Sequence, residues 1–198
     1  MVTALLILAL LAPPEHDGLD RLAAALRAAR AWRAEFEQVY TPEGFTQGTT
    51  ESGRLTLVPP GKLRFDYTSG SPRVFASDGS IGRLVDRAAG SCDAVRLDAG
   101  SWGRLPLAAV LDPVAARRAF SVEFRGTSLR LSPLVPSPEL VEITVELDAK
   151  GMPASVTVRD EAGNSNRFNF ANWKSAAEPP EALFRPALPG SPPCPPEQ

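Results

Sequence analysis

The sequence predicts a mainly β chain of the α+β class, organised as one antiparallel sheet of about eleven short strands. Three observations predict it. Apolar and polar side chains alternate through Gly53-Arg-Leu-Thr-Leu-Val-Pro-Pro-Gly-Lys-Leu-Arg-Phe-Asp-Tyr67, so that Leu55 and Leu57, then Leu63, Phe65 and Tyr67, share a face. Glycine-bearing turns recur at short spacing, Ser77-Asp78-Gly79 foremost among them. Helical periodicity is confined to one N-terminal stretch and a central pair of short segments.

Taken in order, the N-terminal helix is expected to start at Asp17, with Asp20 three residues on. It would bury Leu19, Leu22, Leu26 and Ala29, and its alanine-rich sequence favours helix through Ala31. The first strand is expected after Ala34, on Phe36-Glu-Gln-Val-Tyr40, and Pro59-Pro-Gly61 separates the next two. Asp78-Gly79 turns a hairpin between 74–76 and 81–85. Residues 105–111 and 113–119 read as short helices, the second capped by Asp112 with Pro113 in its first turn. Phe120, Val122 and Phe124 face Leu129 and Leu131 across Arg125-Gly-Thr-Ser128. Ile143, Val145 and Leu147 alternate with Glu142, Thr144 and Glu146 and turn at Asp148-Ala-Lys-Gly151. Val156 and Val158 lead into Asp160-Glu-Ala-Gly-Asn164, after which Phe168, Phe170 and Asn172 are expected on one face. The proline-rich tail beyond Phe184 is expected to be loosely held. A one-sided sheet needs a cover, and the helices are the candidates.

The 198 residues suit one domain with a proper core. A net charge of -2, without a Lys/Arg cluster, argues against nucleic acid as a partner. His16 is the sole histidine and the two cysteines are far apart, which leaves neither a Ser-His-acid triad nor a zinc site. Asp78, Asp148 and Asp160 fall in turns, where local hydrogen bonds account for them. The expectation is a protein that is not an enzyme and takes no cofactor. Residues 2–12 are apolar and uncharged, too short to span a bilayer and of the length of a signal-peptide core. Residues 1–17 are therefore expected to be a signal peptide and linker, with a buried N-terminal helix as the alternative. Cys92 and Cys194 are compatible with export, and the sequence leaves open whether they are bridged. Neither lies where a lipid-anchoring cysteine would be.

A family resemblance rests on the order of these motifs. Phe36-x-Gln38, Gly53-x-Leu55 running into Pro60-Gly-Lys-Leu-Arg-Phe-x-Tyr67, and Ser77-Asp-Gly79 are followed by short helices after Leu105-Pro-Leu107. Gly163-Asn-x-x-x-Phe168-x-Phe170, Phe184-x-Pro186 and Pro189-Gly190 complete the series. Over roughly residues 19–190 the chain resembles the LolA family of periplasmic carriers of outer-membrane lipoproteins. The resemblance implies an incomplete antiparallel β-barrel with a helical lid, formed by a single domain over 18–190, with a proline-rich tail at 191–198. It implies a monomeric periplasmic chaperone that takes acyl chains of lipoproteins into an apolar cavity. An inner-membrane ABC transporter would load it and an outer-membrane acceptor would unload it. Leu55, Leu57, Leu63, Phe65 and Tyr67 would line that cavity together with Phe36, Phe168 and Phe170. Leu107, Val110 and Leu111 would face it from the lid. The alternative is that the same residues pack a solid core.

Two departures stand out. An arginine commonly precedes the proline of the opening block in this family and is thought to help the lid close, but here that position is Pro59. The strand after Asp78-Gly79 usually carries aromatics, and Ile81-Gly-Arg-Leu-Val85 has none. They suggest a divergent branch whose lid closes through apolar contacts alone. A periplasmic lipid or lipoprotein sensor, and a carrier of another lipid on the same scaffold, are the competing readings.

Overall fold

The computed structural model describes residues 17–97 and 112–196. Helix α1 (Asp17–Arg27) leads into strands β1 (Ala31–Thr41), β2 (Thr49–Val58), β3 (Lys62–Tyr67), β4 (Arg73–Asp78), β5 (Ile81–Asp86) and β6 (Ser91–Arg96). Helix α2 (Pro113–Ala119) precedes β7 (Phe120–Arg125), β8 (Ser128–Pro133), β9 (Glu142–Leu147), β10 (Pro153–Arg159) and β11 (Ser165–Ala176). A 3₁₀ turn, Glu181–Phe184, follows. All eleven strands form one antiparallel sheet in the order β6-β5-β4-β3-β2-β1-β11-β10-β9-β8-β7, with β6 and β7 as its two edges. The fold is the incomplete barrel with a helical cover that the motifs implied.

The inner face carries α1. Leu19, Leu22 and Leu26 of α1 join Ala116 of α2 in one core with Leu129, Leu131, Ile143, Val145 and Val156. The i, i+3, i+7 spacing of the three leucines puts them on one stripe of the helix. Trp32 Nε1 donates to Leu26 O at 2.7 Å, satisfying a carbonyl at the helix end. Arg117 of α2 pairs with Asp20 of α1. Asp112 caps α2 as expected, its Oδ1 accepting from Ala115 N at 3.1 Å.

Three expectations are corrected. The helix ends at Arg27 and β1 begins at Ala31, because strand pairing of β1 with both β2 and β11 overrides alanine's helix preference. Ala31 is buried against Val58 and Phe184 on the outer face. Asn172 does not share a face with Phe168 and Phe170. A register shift opposite Arg33/Glu35 and a φ of 57° at Asn172 turn it outward to donate to Glu35 Oε2 at 2.8 Å. Trp173 takes the inner position instead, packed on the core. Third, the tail is tied down rather than loose. Residues 105–111, read as the first lid helix, lie outside the described residues, as do 1–16.

Candidate functional site

Strand register assembles an aromatic floor on the inner face. Phe36 lies opposite Gly53, which lies opposite Tyr67, and Leu55 lies opposite Phe65, which lies opposite Phe75. Gly53 makes this possible. A Cβ there would sit 2.0 Å from Asp66 O and 2.8 Å from Phe36 Cε1, so only glycine leaves room for the Phe36 ring. That ring meets Phe65 and Tyr67 edge-on, each at 5.0 Å between centroids. Phe168 is 5.5 Å from Phe65 and 6.3 Å from Phe170, and Phe170 is 5.6 Å from Trp173. Leu55, Leu57 and Leu63 flank the floor at 1% exposure each.

The floor ends in a polar collar. Tyr67 Oη donates to Gln38 Oε1 at 2.6 Å, and Gln38 Nε2 donates to Asn166 Oδ1 at 3.0 Å. The Arg73 guanidinium lies 4.1 Å above the Tyr67 ring and grips both carboxylate oxygens of Glu51, at 2.5 and 2.6 Å. That grip holds the Glu51 carboxyl below its ordinary range and pushes Arg73 up. Burial pushes the Tyr67 hydroxyl up to about 12, so it stays a donor.

The outer face of β2–β6 is covered by the C-terminal strap, residues 181–194. Phe184 is buried on Ala31 and Val58. Lys62 pairs with Glu181 at 2.5 Å, and Arg64 Nη1 donates to Leu183 O at 2.9 Å. Arg83, buried on β5, pairs with Asp78 at 3.2 Å and donates from Nε to Cys194 O at 3.1 Å. Cys194 and Cys92 of β6 form a disulfide that closes a separation of 102 residues. Burial pushes the Asp78 carboxyl up, but the amides of Ile81 and Ser80 and the Arg83 guanidinium outweigh it and leave Asp78 below its usual range.

The structure brings Phe36, Leu55, Leu57, Leu63, Phe65, Tyr67, Phe168 and Phe170 onto one face and into one cluster. Leu107, Val110 and Leu111 lie outside the described residues. Sequence reading missed Trp32, Trp173, Gln38, Glu51, Arg73 and Asn166 as members of this face. Trp32 and Trp173 meet edge-on at 6.5 Å, and only their size could have flagged them.

The model of the outer membrane lipoprotein carrier protein LolA matches residues 27–187. The chain belongs to the LolA family. An outer-membrane lipoprotein carrier protein of Chromobacterium violaceum is 27% identical, covering 93% of this chain and 90% of the relative. The carrier of Methylococcus capsulatus is 26% identical, covering 84% and 81%. Among solved structures, a LolA superfamily protein from Nitrosomonas europaea shares the fold at a TM-score of 0.50 and 7% identity, covering 87% of this chain and 98% of that one. An uncharacterised conserved protein from Thermus thermophilus does so at 0.53 and 12%, covering 88% and 94%.

In this family member, Pro59 and Pro60 make the turn between β2 and β3. The nearby Arg64 faces outward, bonded to Asp66 and to Leu183 O, on the opposite face from Leu63 and Phe65. At the other end of the floor, a cleft of about 520 Å³ opens between α1 and β10–β11, lined by Ala25, Trp32, Met152, Phe170 and Trp173 together with the polar Asp148, Lys150 and Asn172.

Proposed function

We propose that this protein is a periplasmic carrier that holds the acyl chains of lipoproteins against its inner aromatic face and ferries them from the inner to the outer membrane. The observation that carries the reading is the continuous floor of Phe36, Phe65, Phe168 and Phe170 in a chain of a lipoprotein-carrier family. Burying an acyl chain recovers about 0.8 kcal/mol per methylene, so a sixteen-carbon chain needs cover worth on the order of 12 kcal/mol. A soluble carrier must offer an apolar face of that scale and release it again.

In this reading 18–190 is the carrier domain, 1–17 directs export, and the Cys92–Cys194 bridge fits an oxidising compartment. A transporter in the inner membrane loads the protein and an acceptor in the outer membrane unloads it. Leu107, Val110 and Leu111 close over the floor by apolar contact, since position 59 lacks the arginine. The protein binds and transfers; it makes and breaks no bonds.

The test is to purify the protein from a periplasmic fraction and identify what accompanies it by mass spectrometry. Co-purifying acylated lipoproteins support the proposal. Free lipids alone would favour a carrier of another lipid, and a chain that is reproducibly empty and binds no fluorescent hydrophobe would sink it.

A further inference from the structure

The collar beside the aromatic floor has a chemistry of its own. We propose that Gln38 and Asn166, held in place by Tyr67 and standing beside the Arg73–Glu51 pair, form a head-group subsite that takes the neutral ester and amide carbonyls of a diacyl ligand. This rests on the lipid-carrier reading above and adds to it which end of the ligand is read, and how.

Three observations carry the subsite. The first is placement. Gln38 lies opposite Phe168 on β11 and Glu51 on β2, while Asn166 sits one inner-face step beyond Phe168. Tyr67 follows Phe65 on the inner face of β3. The polar groups therefore stand at the edge of the floor, where an amphiphile changes from chain to head. All of them are partly exposed, unlike the leucines beside the floor.

The second is a surplus of donors. Gln38 Oε1 and Asn166 Oδ1 are each taken up by a donor within the collar. One hydrogen of Gln38 Nε2 and both of Asn166 Nδ2 then have no partner among the described residues. Amide hydrogens left over at the edge of an apolar face suit acceptors, which is what ester and amide carbonyls offer.

The third is charge. Arg73 is neutralised by its two-point grip on Glu51, and Asp86 also acts on Arg73. One cation against two carboxylates leaves no excess positive charge to attract a phosphate. The collar is matched to neutral carbonyl oxygens, and an anionic head is disfavoured there.

The test uses the full chain isolated from the periplasm, loaded with N-phenyl-1-naphthylamine. Two competitors with the same acyl chains displace this probe: N-acetyl-S-(dipalmitoylglyceryl)cysteine amide, which is neutral, and dipalmitoyl phosphatidylglycerol, which is anionic. The neutral ligand is expected to compete about tenfold better, the size of effect that one or two hydrogen bonds supply. Gln38→Met with Asn166→Leu, both close in volume, should bring the ratio towards unity. Gln38→Met alone provides a second variant should the pair fail to fold, and it should move the ratio the same way. Equal competition by the two ligands in the wild type, or a ratio that the variants leave unchanged, overturns the subsite while leaving the carrier intact. A wild-type chain that binds neither ligand nor the probe overturns both.

Discussion

The two wings of this sheet are stabilised from opposite sides. On β8–β10 the inner face is sealed: Leu129, Leu131, Ile143, Val145 and Val156 are fully buried beneath α1 and α2. On β4–β6 it is the outer face that is sealed. Val74, Ala76, Arg83, Val85 and Ala94 are buried there, while on the inner side Phe75, Leu84 and Val95 stay partly exposed around a buried Ser77–Gly82 pair. The strap from Glu181 to Cys194 supplies the cover through Phe184, the Arg83–Asp78 pair and the disulfide. A sheet held from behind keeps its front free. That is a physical route to a carrier whose apolar face is available to cargo without the wing losing its anchor.

The comparison can be broken at several points. Removing the disulfide with Cys92→Ser and Cys194→Ser together should cost on the order of 4 kcal/mol, as expected for releasing a loop of about a hundred residues. Urea denaturation measures the loss, and amide exchange should rise in β4–β6 while β8–β10 keeps its protection. Uniform loosening would mean that the strap is not a local anchor. Next in size, Ile143→Ala should cost about 3 kcal/mol, because it opens a cavity in the sealed wing. Phe75→Ala, on the open face, should cost about 1 kcal/mol by the same measurement yet weaken hydrophobe binding several-fold. Equal stability losses would erase the distinction between the wings. The smallest effect concerns acid. Glu51 and Asp78 have folded pKa values below their ordinary ones, so their contribution is complete above about pH 5 and is lost as pH falls past the ordinary carboxylate range and through the folded values. The melting temperature should fall over that range, and Glu51→Gln should make the fall shallower.

Much of the fold was legible because the strands obey period two: Leu63-x-Phe65-x-Tyr67 and Ile143-x-Val145-x-Leu147 each name their buried face outright. Asn172 defeated the same rule, since a bulge inserts a residue without disturbing local composition, and asparagine tolerates the positive φ that it requires. Ala31 misled because helix propensity is local, whereas its pairing with Leu57's neighbours and with Ala176 is not. The aromatic floor was readable as a set of apolar positions. The collar was not: Gln38 meets Asn166 across 128 residues and Arg73 meets Glu51 across 22, separations that no spacing motif encodes. The strap hid for a different reason. A proline-rich tail looks unstructured in sequence, but Phe184 and Cys194 fasten it at both ends.

The most direct measurement is amide hydrogen exchange on the whole protein, with and without a triacylated lipopeptide. Binding on the aromatic floor and the open face beside it predicts slower exchange in β1, β3–β6 and β11, with β8–β10 unchanged because that wing is already sealed. Unaltered exchange in β3–β6, or protection centred on β8–β10, would contradict the account.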